Sequence, residues 1–300
     1  MTSLTGRPDA TPHPASAVSD FGPGPGIGRP PARAPEPLPG TAFDSHCHLE
    51  MIDMAVADTL TQATAAGIAR VITVGTDVSS SRWAARCAAS FPQVYAAVAI
   101  HPNETAAIAA SPADRDAVLA EITSLAALAQ VRAVGETGLD YYRDSAAHDV
   151  QRDWFRAHID IAKQAGKPLV IHDRDAHADV LSILAADGPP EQVIFHCFSG
   201  DGELAERCVQ AGYVLSFAGT LTFGNATDLR AAAAITPAEL ILAETDAPFL
   251  APAPNRGKSN APAQVANTVR AIAAAKQMDV AKLCAVIEAT GERVFGPWPV

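Results

Sequence analysis

From Thr41 onward the chain predicts a (β/α)8 barrel, an α/β fold of the TIM type, on three observations. Short β-branched or apolar runs alternate with longer Ala-rich stretches whose apolar residues recur at helical spacing. There are eight such runs, which is the arithmetic of a barrel. No Gly-rich phosphate loop follows the first run, as it ordinarily does in the competing doubly wound open sheet.

The elements follow in order. Ala42 to Asp44 reads as the first strand and Ala55 to Ala66 as its helix; Val71 to Val74 and Ser81 to Ser90 form the second pair. Val94 to Ile100 precedes a helix at Ala113 to Ala129, and Val131 to Val134 precedes one at Ala146 to Ala165. Pro168 to Ile171, Val193 to Phe195 and Tyr213 to Phe217 lead into helices at His177 to Ala186, Asp201 to Ala211 and Ala226 to Ala234. Leu240 to Ala243 is the eighth run, and Val265 to Ala275 with Val280 to Phe295 supplies two helices that close the ring.

Residues 41–300 therefore read as one domain, since such a barrel takes ~250 residues. Residues 1–40 differ. Pro and Gly cluster there (Gly22 to Gly26, Pro30-Pro31, Pro35 to Pro39) with few large apolar residues, so this stretch is expected to be a disordered tail that cannot offset its ordering entropy.

A hydrophobic content of 48% with 18% charged residues fits a globular core, and the formal charge of -11 excludes a general electrostatic grip on nucleic acid. It leaves room for a phosphate-bearing substrate at a site that carries its own cations. The five cysteines are scattered, without a C-x-x-C pair, and read as reduced thiols. No run approaches the ~18 apolar residues of a membrane span, and no secretory leader is visible. A cytoplasmic protein with no membrane association and no obligate protein partner is expected.

Residues able to do chemistry fall at the carboxyl ends of the runs: His46, His48, His101, Glu136, His172, His196, Glu244 and Asp246. In barrels that rim is where several strands aim side chains at one point. Strand alternation puts His46 and His48 on one side, with Ser45 and Cys47 on the other, so the two imidazoles are placed to chelate one ion. Glu136 follows an apolar strand and has two oxygens with which to bridge two cations; the alternative is a buried Glu paired with Arg174 or Arg143. His172 and His196 each arrive from a buried strand. Asp246 is suited to hold a cation while taking a proton from an attacking water, and Glu244, two residues earlier on the same side, to orient a ligand.

These residues sit in ordered blocks: Phe43-Asp-Ser-His-Cys-His-Leu49, Ile100-His-Pro102, Gly135-Glu-Thr-Gly-Leu-Asp140, Ile171-His-Asp-Arg174, Phe195-His-Cys-Phe-Ser-Gly200 and Glu244-Thr-Asp-Ala-Pro-Phe-Leu250. In these blocks the chain, from about Thr41 to Gly296, resembles the TatD family of metal-dependent deoxyribonucleases. The resemblance implies a metal-dependent hydrolase with His46, His48, Glu136, His172, His196 and Asp246 as metal ligands and with His101 and Glu244 completing the catalytic set. It implies a DNA substrate, single-stranded or bound by its end, cut 3′ to 5′. Two divalent cations, Mg²⁺, Mn²⁺ or Zn²⁺, are the expected cofactors.

By the same likeness Arg256-Gly257-Lys258 resembles the family's basic loop, suited to substrate phosphate, and Arg174 is a further candidate contact. The chain departs from the pattern after Lys258, where Ser259-Asn260-Ala261-Pro262 stands in place of a Glu before the Pro. Competing readings are another ester or amide hydrolase on the same barrel, such as a D-aminoacyl-tRNA deacylase or a phosphotriesterase-like enzyme, and a non-catalytic binding barrel. His148, His158 and His177, away from the strand ends, read as surface or packing residues, and Cys47 and Cys197 as core.

Overall fold

A computed structural model describes residues 21–108, 112–143 and 145–298, without the side chains of residues 112 and 113. Among the described residues the strands are β1 (Ala42–Cys47), β2 (Ile68–Val74), β3 (Val94–Val98), β4 (Val131–Asp140), β5 (Leu169–Arg174), β6 (Val193–Phe195), β7 (Val214–Phe217) and β8 (Ile241–Ala243). All neighbouring pairs are parallel, in the order β1 to β8. The ring closes just past β8, where Asp246 N donates to His46 O at 2.9 Å and His48 N to Ala247 O at 2.7 Å. This is the (β/α)8 barrel that the alternation of runs predicts.

Around it lie α1 (Val56–Ala65), α2 (Val78–Ser90), α3 (Thr105–Ile108), α4 (Pro112–Ala126), α5 (His148–Ala165), α6 (His177–Asp187), α7 (Gly202–Gln210), α8 (Thr227–Ile235), α9 (Val265–Ala275) and α10 (Val280–Phe295). Several boundaries differ from the sequence expectation for local reasons. α2 starts three residues early because Asp77 caps it: its carboxylate accepts from Ser80 N at 2.7 Å while Ser80 Oγ accepts from Asp77 N at 2.9 Å. β4 and β5 run past their apolar segments, so Glu136 and His172 lie within strands. Gly138 permits this, since a Cβ there would stand 2.1 Å from His172 O.

At the opposite end of the barrel Phe43 packs edge-on against Phe295, and Trp298 stacks on Tyr95 with ring centroids 3.8 Å apart. With Phe43 directed at α10, alternation turns Asp44 and His46 toward the barrel axis. Asp44 is fully buried and accepts from Thr245 N at 2.9 Å and from the Thr245 hydroxyl, tying β1 to the chain leaving β8. The Cys47 thiol donates to Ile72 O at 3.4 Å, and all five cysteines are free.

The tail expectation requires correction for residues 21–40. This segment lies against the barrel as an extended strap. Phe21 is buried between Trp83 and Phe91, with ring centroids 5.4 and 5.6 Å away, and Leu38 is buried with its N–H donating to Ala66 O at 3.0 Å. Between these anchors Gly24 N donates to Ile52 O (2.7 Å), Ala32 N to Ser259 O (3.0 Å) and Ser259 N to Pro30 O (2.8 Å). The segment's prolines restrict the unfolded chain and so lower the entropy lost on docking. The remainder of the tail expectation, residues 1–20, lies outside the described residues.

His158 on α5 is buried as a neutral ring: Nε2 accepts from Ile100 N at 3.0 Å and Nδ1 donates to Trp154 O at 2.8 Å. Burial pushes its pKa from 6.5 down to about 4.

Two expected outcomes follow. Phe21→Ala should lower the unfolding free energy by about 3 kcal/mol, read by denaturant melts, whereas an undocked segment would show no change. His158 binds fewer protons folded than unfolded, so its stabilisation is complete above pH 6.5, declines as pH falls toward about 4, and falls no further below that. The window corresponds to about 3 kcal/mol, so stability in His158→Gln should depend less on pH across it by that order. Parallel pH profiles for the two proteins would contradict the assignment.

Candidate metal centre

The barrel rim brings His46 from β1 and His48 from just past its end, His101 from the loop after β3, Glu136 from β4, His172 from β5, His196 from just past β6 and Asp246 from the chain leaving β8 to one point. Glu136 stands at its middle. Gly135, just before it, has a φ of +158°, and a Cβ there would lie 2.5 Å from Val170 Cβ, so only glycine lets β4 approach β5 at this height.

The two carboxylate oxygens of Glu136 face different groups. Oε2 lies 3.3 Å from His46 Nε2 and 3.9 Å from His48 Nε2, and Asp246 Oδ1 lies 3.4 Å from His48 Nε2 and 3.9 Å from His46 Nε2. Oε1 lies 2.9 Å from His196 Nε2, 2.8 Å from His172 Nδ1 and 3.3 Å from His101 Nε2. Around a cation with bonds of ~2.0 to 2.1 Å, tetrahedral donors stand about 3.3 Å apart, so the spacing of the first group suits a small divalent ion. Both ring nitrogens of His46 are buried without a hydrogen-bond partner, the condition of a ring waiting for a cation. His46, His48 and Asp246, and separately His101, Glu136 and His172, are groupings able to hold a metal ion. The pairing of Glu136 with Arg174 or Arg143 is not found.

Each imidazole is oriented from behind. His48 Nδ1 donates to Val74 O at 3.0 Å, which leaves Nε2 to face Glu136 and Asp246, as a donor to these carboxylates when the ring is protonated and as a lone pair when it holds a cation. Glu244 Oε1 accepts from His196 Nδ1 at 3.0 Å and from Cys197 N at 2.9 Å, which turns His196 Nε2 to the centre. His172 is reversed. Its Nε2 faces Asp140 Oδ2 at 3.2 Å, so Nδ1 is the nitrogen presented to Glu136. His101 Nδ1 accepts from Asn103 N at 3.0 Å; the neutral ring then carries its proton on Nε2, which makes it a hydrogen-bond donor toward the centre.

Asp140 and Asn103 are residues of this centre that sequence reasoning did not single out. Asp140 accepts from Asn103 Nδ2 and from the backbone N–H of Tyr142 and Arg143, and its own N–H donates to the buried Gln151 side chain. Their signal was adjacency: Asp140 closes the Gly135 block and Asn103 follows Ile100-His-Pro102.

Charge is unbalanced in favour of cations. Although burial opposes it, Glu136 is held well below the usual carboxylate range by His196, His101 and His172. Burial also opposes ionisation of Asp246, yet the hydrogen bond from His48 and the fields of His196, His48 and His46 lower its pKa. His196 is pushed well above its ordinary value because Glu136 and Glu244 outweigh its desolvation. His101 is lowered, chiefly by burial, and stays neutral.

The expected substrate residues lie farther out. Arg174 stacks its guanidinium over Tyr142, 3.9 Å from the ring centroid, and Arg256 does so over Phe223 at 4.1 Å. Arg256 and Lys258 are exposed on the loop beyond Asp246. That loop is tied back by Asn260, a buried residue inside the departure from the family pattern, whose Nδ2 donates to Thr245 O at 2.9 Å and Phe249 O at 2.7 Å. Ser199 Oγ donates to Asp173 O at 3.3 Å and shapes its turn, and His177 pairs with Asp173 at 2.7 Å.

The chain is similar to known proteins over most of its length. Residues 43–296 match the family described as TatD related DNase. The chain is 43% identical over 262 residues to the metal-dependent hydrolase TatD of Mycobacterium tuberculosis, covering 84% of this chain and 97% of that one. It is 37% identical over 257 residues to the metal-dependent hydrolase YabD of Bacillus subtilis, covering 84% and 98%. Among solved structures, the TatD homologue YjjV of Escherichia coli superposes with a TM-score of 0.79 at 26% identity over 85% of this chain and 98% of that one. With its barrel, its rim histidines and a match that begins at Phe43 and runs to Gly296, the chain belongs to the TatD-related family of metal-dependent hydrolases.

Proposed function

We propose that this protein is a deoxyribonuclease that cleaves DNA phosphodiester bonds from the 3′ end of a single strand, with two divalent cations at the barrel rim. The observation that carries the reading is the division of Glu136, with Oε2 toward His46 and His48, which Asp246 also faces, and Oε1 toward His172 and His196. Cations held by these residues would lower the pKa of a bound water and neutralise charge on phosphoryl oxygens. Mixed imidazole and carboxylate donors favour Zn²⁺ or Mn²⁺ over Mg²⁺.

The residues of the chain then divide the work. Asp246, ionised because His48 and its neighbours hold its pKa down, accepts the proton of the attacking water. His101, neutral and protonated on Nε2, donates to a phosphoryl or departing oxygen. Glu244 and Asp140 fix the rings of His196 and His172, so that neither rotates as charge develops. Arg256 and Lys258 hold phosphates outside the metal shell, and Arg174 supplies a further contact. No helix among the described residues is long and apolar enough to cross a membrane, and five unpaired cysteines fit a reducing compartment, which supports a cytoplasmic enzyme.

Metal-depleted protein given back Mg²⁺, Mn²⁺ or Zn²⁺ should cleave single-stranded DNA faster than duplex DNA and leave aminoacyl-tRNA intact; deacylation without nuclease activity would replace this reading. Asp246→Asn should lower kcat by at least about a hundredfold with circular dichroism unchanged, since Asn cannot take the proton. Glu121→Gln, a change in an exposed ion pair with Arg82, serves as control and should stay within twofold. Asp140→Asn and Glu244→Gln should each weaken metal binding by about 10- to 100-fold in calorimetric titrations. Wild-type affinity in both would show that these carboxylates only pack.

A further inference from the structure

The strap ahead of the family-matched span lies beside the basic loop that follows Asp246. Their contact is specific. Arg33 N donates to Asn255 Oδ1 at 3.2 Å, Arg33 O accepts from Asn255 Nδ2 at 3.3 Å and from Gln264 Nε2 at 2.7 Å, and Pro31 pairs in parallel with Ser259. Asn255 immediately precedes Arg256, and Ser259 immediately follows Lys258, so the strap grips the loop on both sides of its two cations. The loop in turn is fixed through Asn260 to Thr245 and Phe249, which flank Asp246.

The strap brings charge as well as contact. Arg29 and Arg33 are exposed, as are Arg256 and Lys258. Residues 21–40 carry one carboxylate, Glu36, against Arg29 and Arg33, and residues 251–264 carry none, in a chain whose formal charge is -11. Four cations thus stand on two paired segments at the β8 side of the rim. Asp53 is the one carboxylate among the residues lining the neighbouring cavity of about 410 Å³ between strap and α1, on which Arg29 borders. The net charge of the chain opposes a polyanion, whereas four exposed cations close together favour one locally.

We infer that Arg29 and Arg33 of the strap join Arg256 and Lys258 in a phosphate-binding row that tracks a single-stranded polynucleotide beyond the nucleotide being cleaved. The inference rests on the nuclease reading of the metal centre and adds a binding surface from outside the family-matched barrel. The row is electrostatic and blind to base sequence, because backbone phosphates carry no sequence information. It distinguishes long substrates from small ones, since only a strand that extends past the metal centre reaches it.

The test uses the full chain, loaded with Mn²⁺, with Arg29→Gln/Arg33→Gln and Arg29→Lys/Arg33→Lys double variants. Substrates are a fluorescent single-stranded 20-mer and bis(p-nitrophenyl) phosphate, which has no flanking phosphates. The glutamine pair should raise KM for the 20-mer roughly tenfold and flatten its dependence on log salt by up to about 1.4, two contacts at ~0.7 each. Values of kcat for the 20-mer, both constants for the small diester and Tm should be unchanged, and the lysine pair should recover most of the affinity. Wild-type cleavage of the 20-mer with no shift in KM or salt slope in the glutamine pair overturns the row while leaving the nuclease reading intact. A lysine pair as weak as the glutamine pair also overturns it, in favour of packing. Hydrolysis of the small diester by the wild type without binding or cleavage of DNA overturns the nuclease reading, and the row with it.

Discussion

The centre depends on one buried carboxylate shared between two sets of imidazoles. Glu136 sits where water cannot solvate its charge, and its ionisation is sustained by histidines at 2.8 to 3.9 Å on both of its oxygens. A buried carboxylate without such partners costs several kcal/mol or takes up a proton. Much of the local architecture answers that demand: glycine before Glu136 so that β4 can approach β5, β4 and β5 extended past their apolar segments so that Glu136 and His172 stand side by side, and carboxylates behind His172 and His196 that hold the rings in place.

The outer partners repeat one device with different materials. Behind His48 stands a carbonyl, behind His196 a glutamate from two strands away, behind His172 an aspartate on the adjacent strand, and a backbone N–H meets His101. Carbonyls and carboxylates only accept, whereas a backbone N–H only donates. That difference separates three rings whose inward nitrogen can give up a proton and take a cation in its place from one that keeps its proton there, although all four look alike as letters in a sequence.

The fold and the place of the chemistry were legible because both rest on periodicity. Alternating runs give strands and helices, and carboxyl ends of strands give the rim. Orientation was not legible. Whether His172 presents Nδ1 or Nε2 depends on Asp140, whose distance from it is set by the register between β4 and β5, and no local pattern encodes that register. The strap was misread for another reason. Averaged over residues 1–40 the composition looks unable to pack, yet burial is decided by single side chains, and Phe21 and Leu38 are buried where residues 21–40 lie on the barrel. Asn260 was noticed only as a departure, while in the structure its amide joins the basic loop to the strand end.

The seam between β1 and the chain leaving β8 unites residues about two hundred positions apart: His46 and His48 on one side, Asp246 and Ala247 on the other, with Asp44 gripping Thr245 beneath. Two residues of the first donor group, His46 and His48, belong to one lip of that seam and Asp246 to the other. A cation held jointly by His46, His48 and Asp246 is therefore a ligand of the closed ring and of no opened form, and by mass action it stabilises closure by RT ln(1 + [L]/Kd). The contact that closes the ring is also the one that completes the first donor group, so occupancy by a cation and integrity of the barrel would be linked.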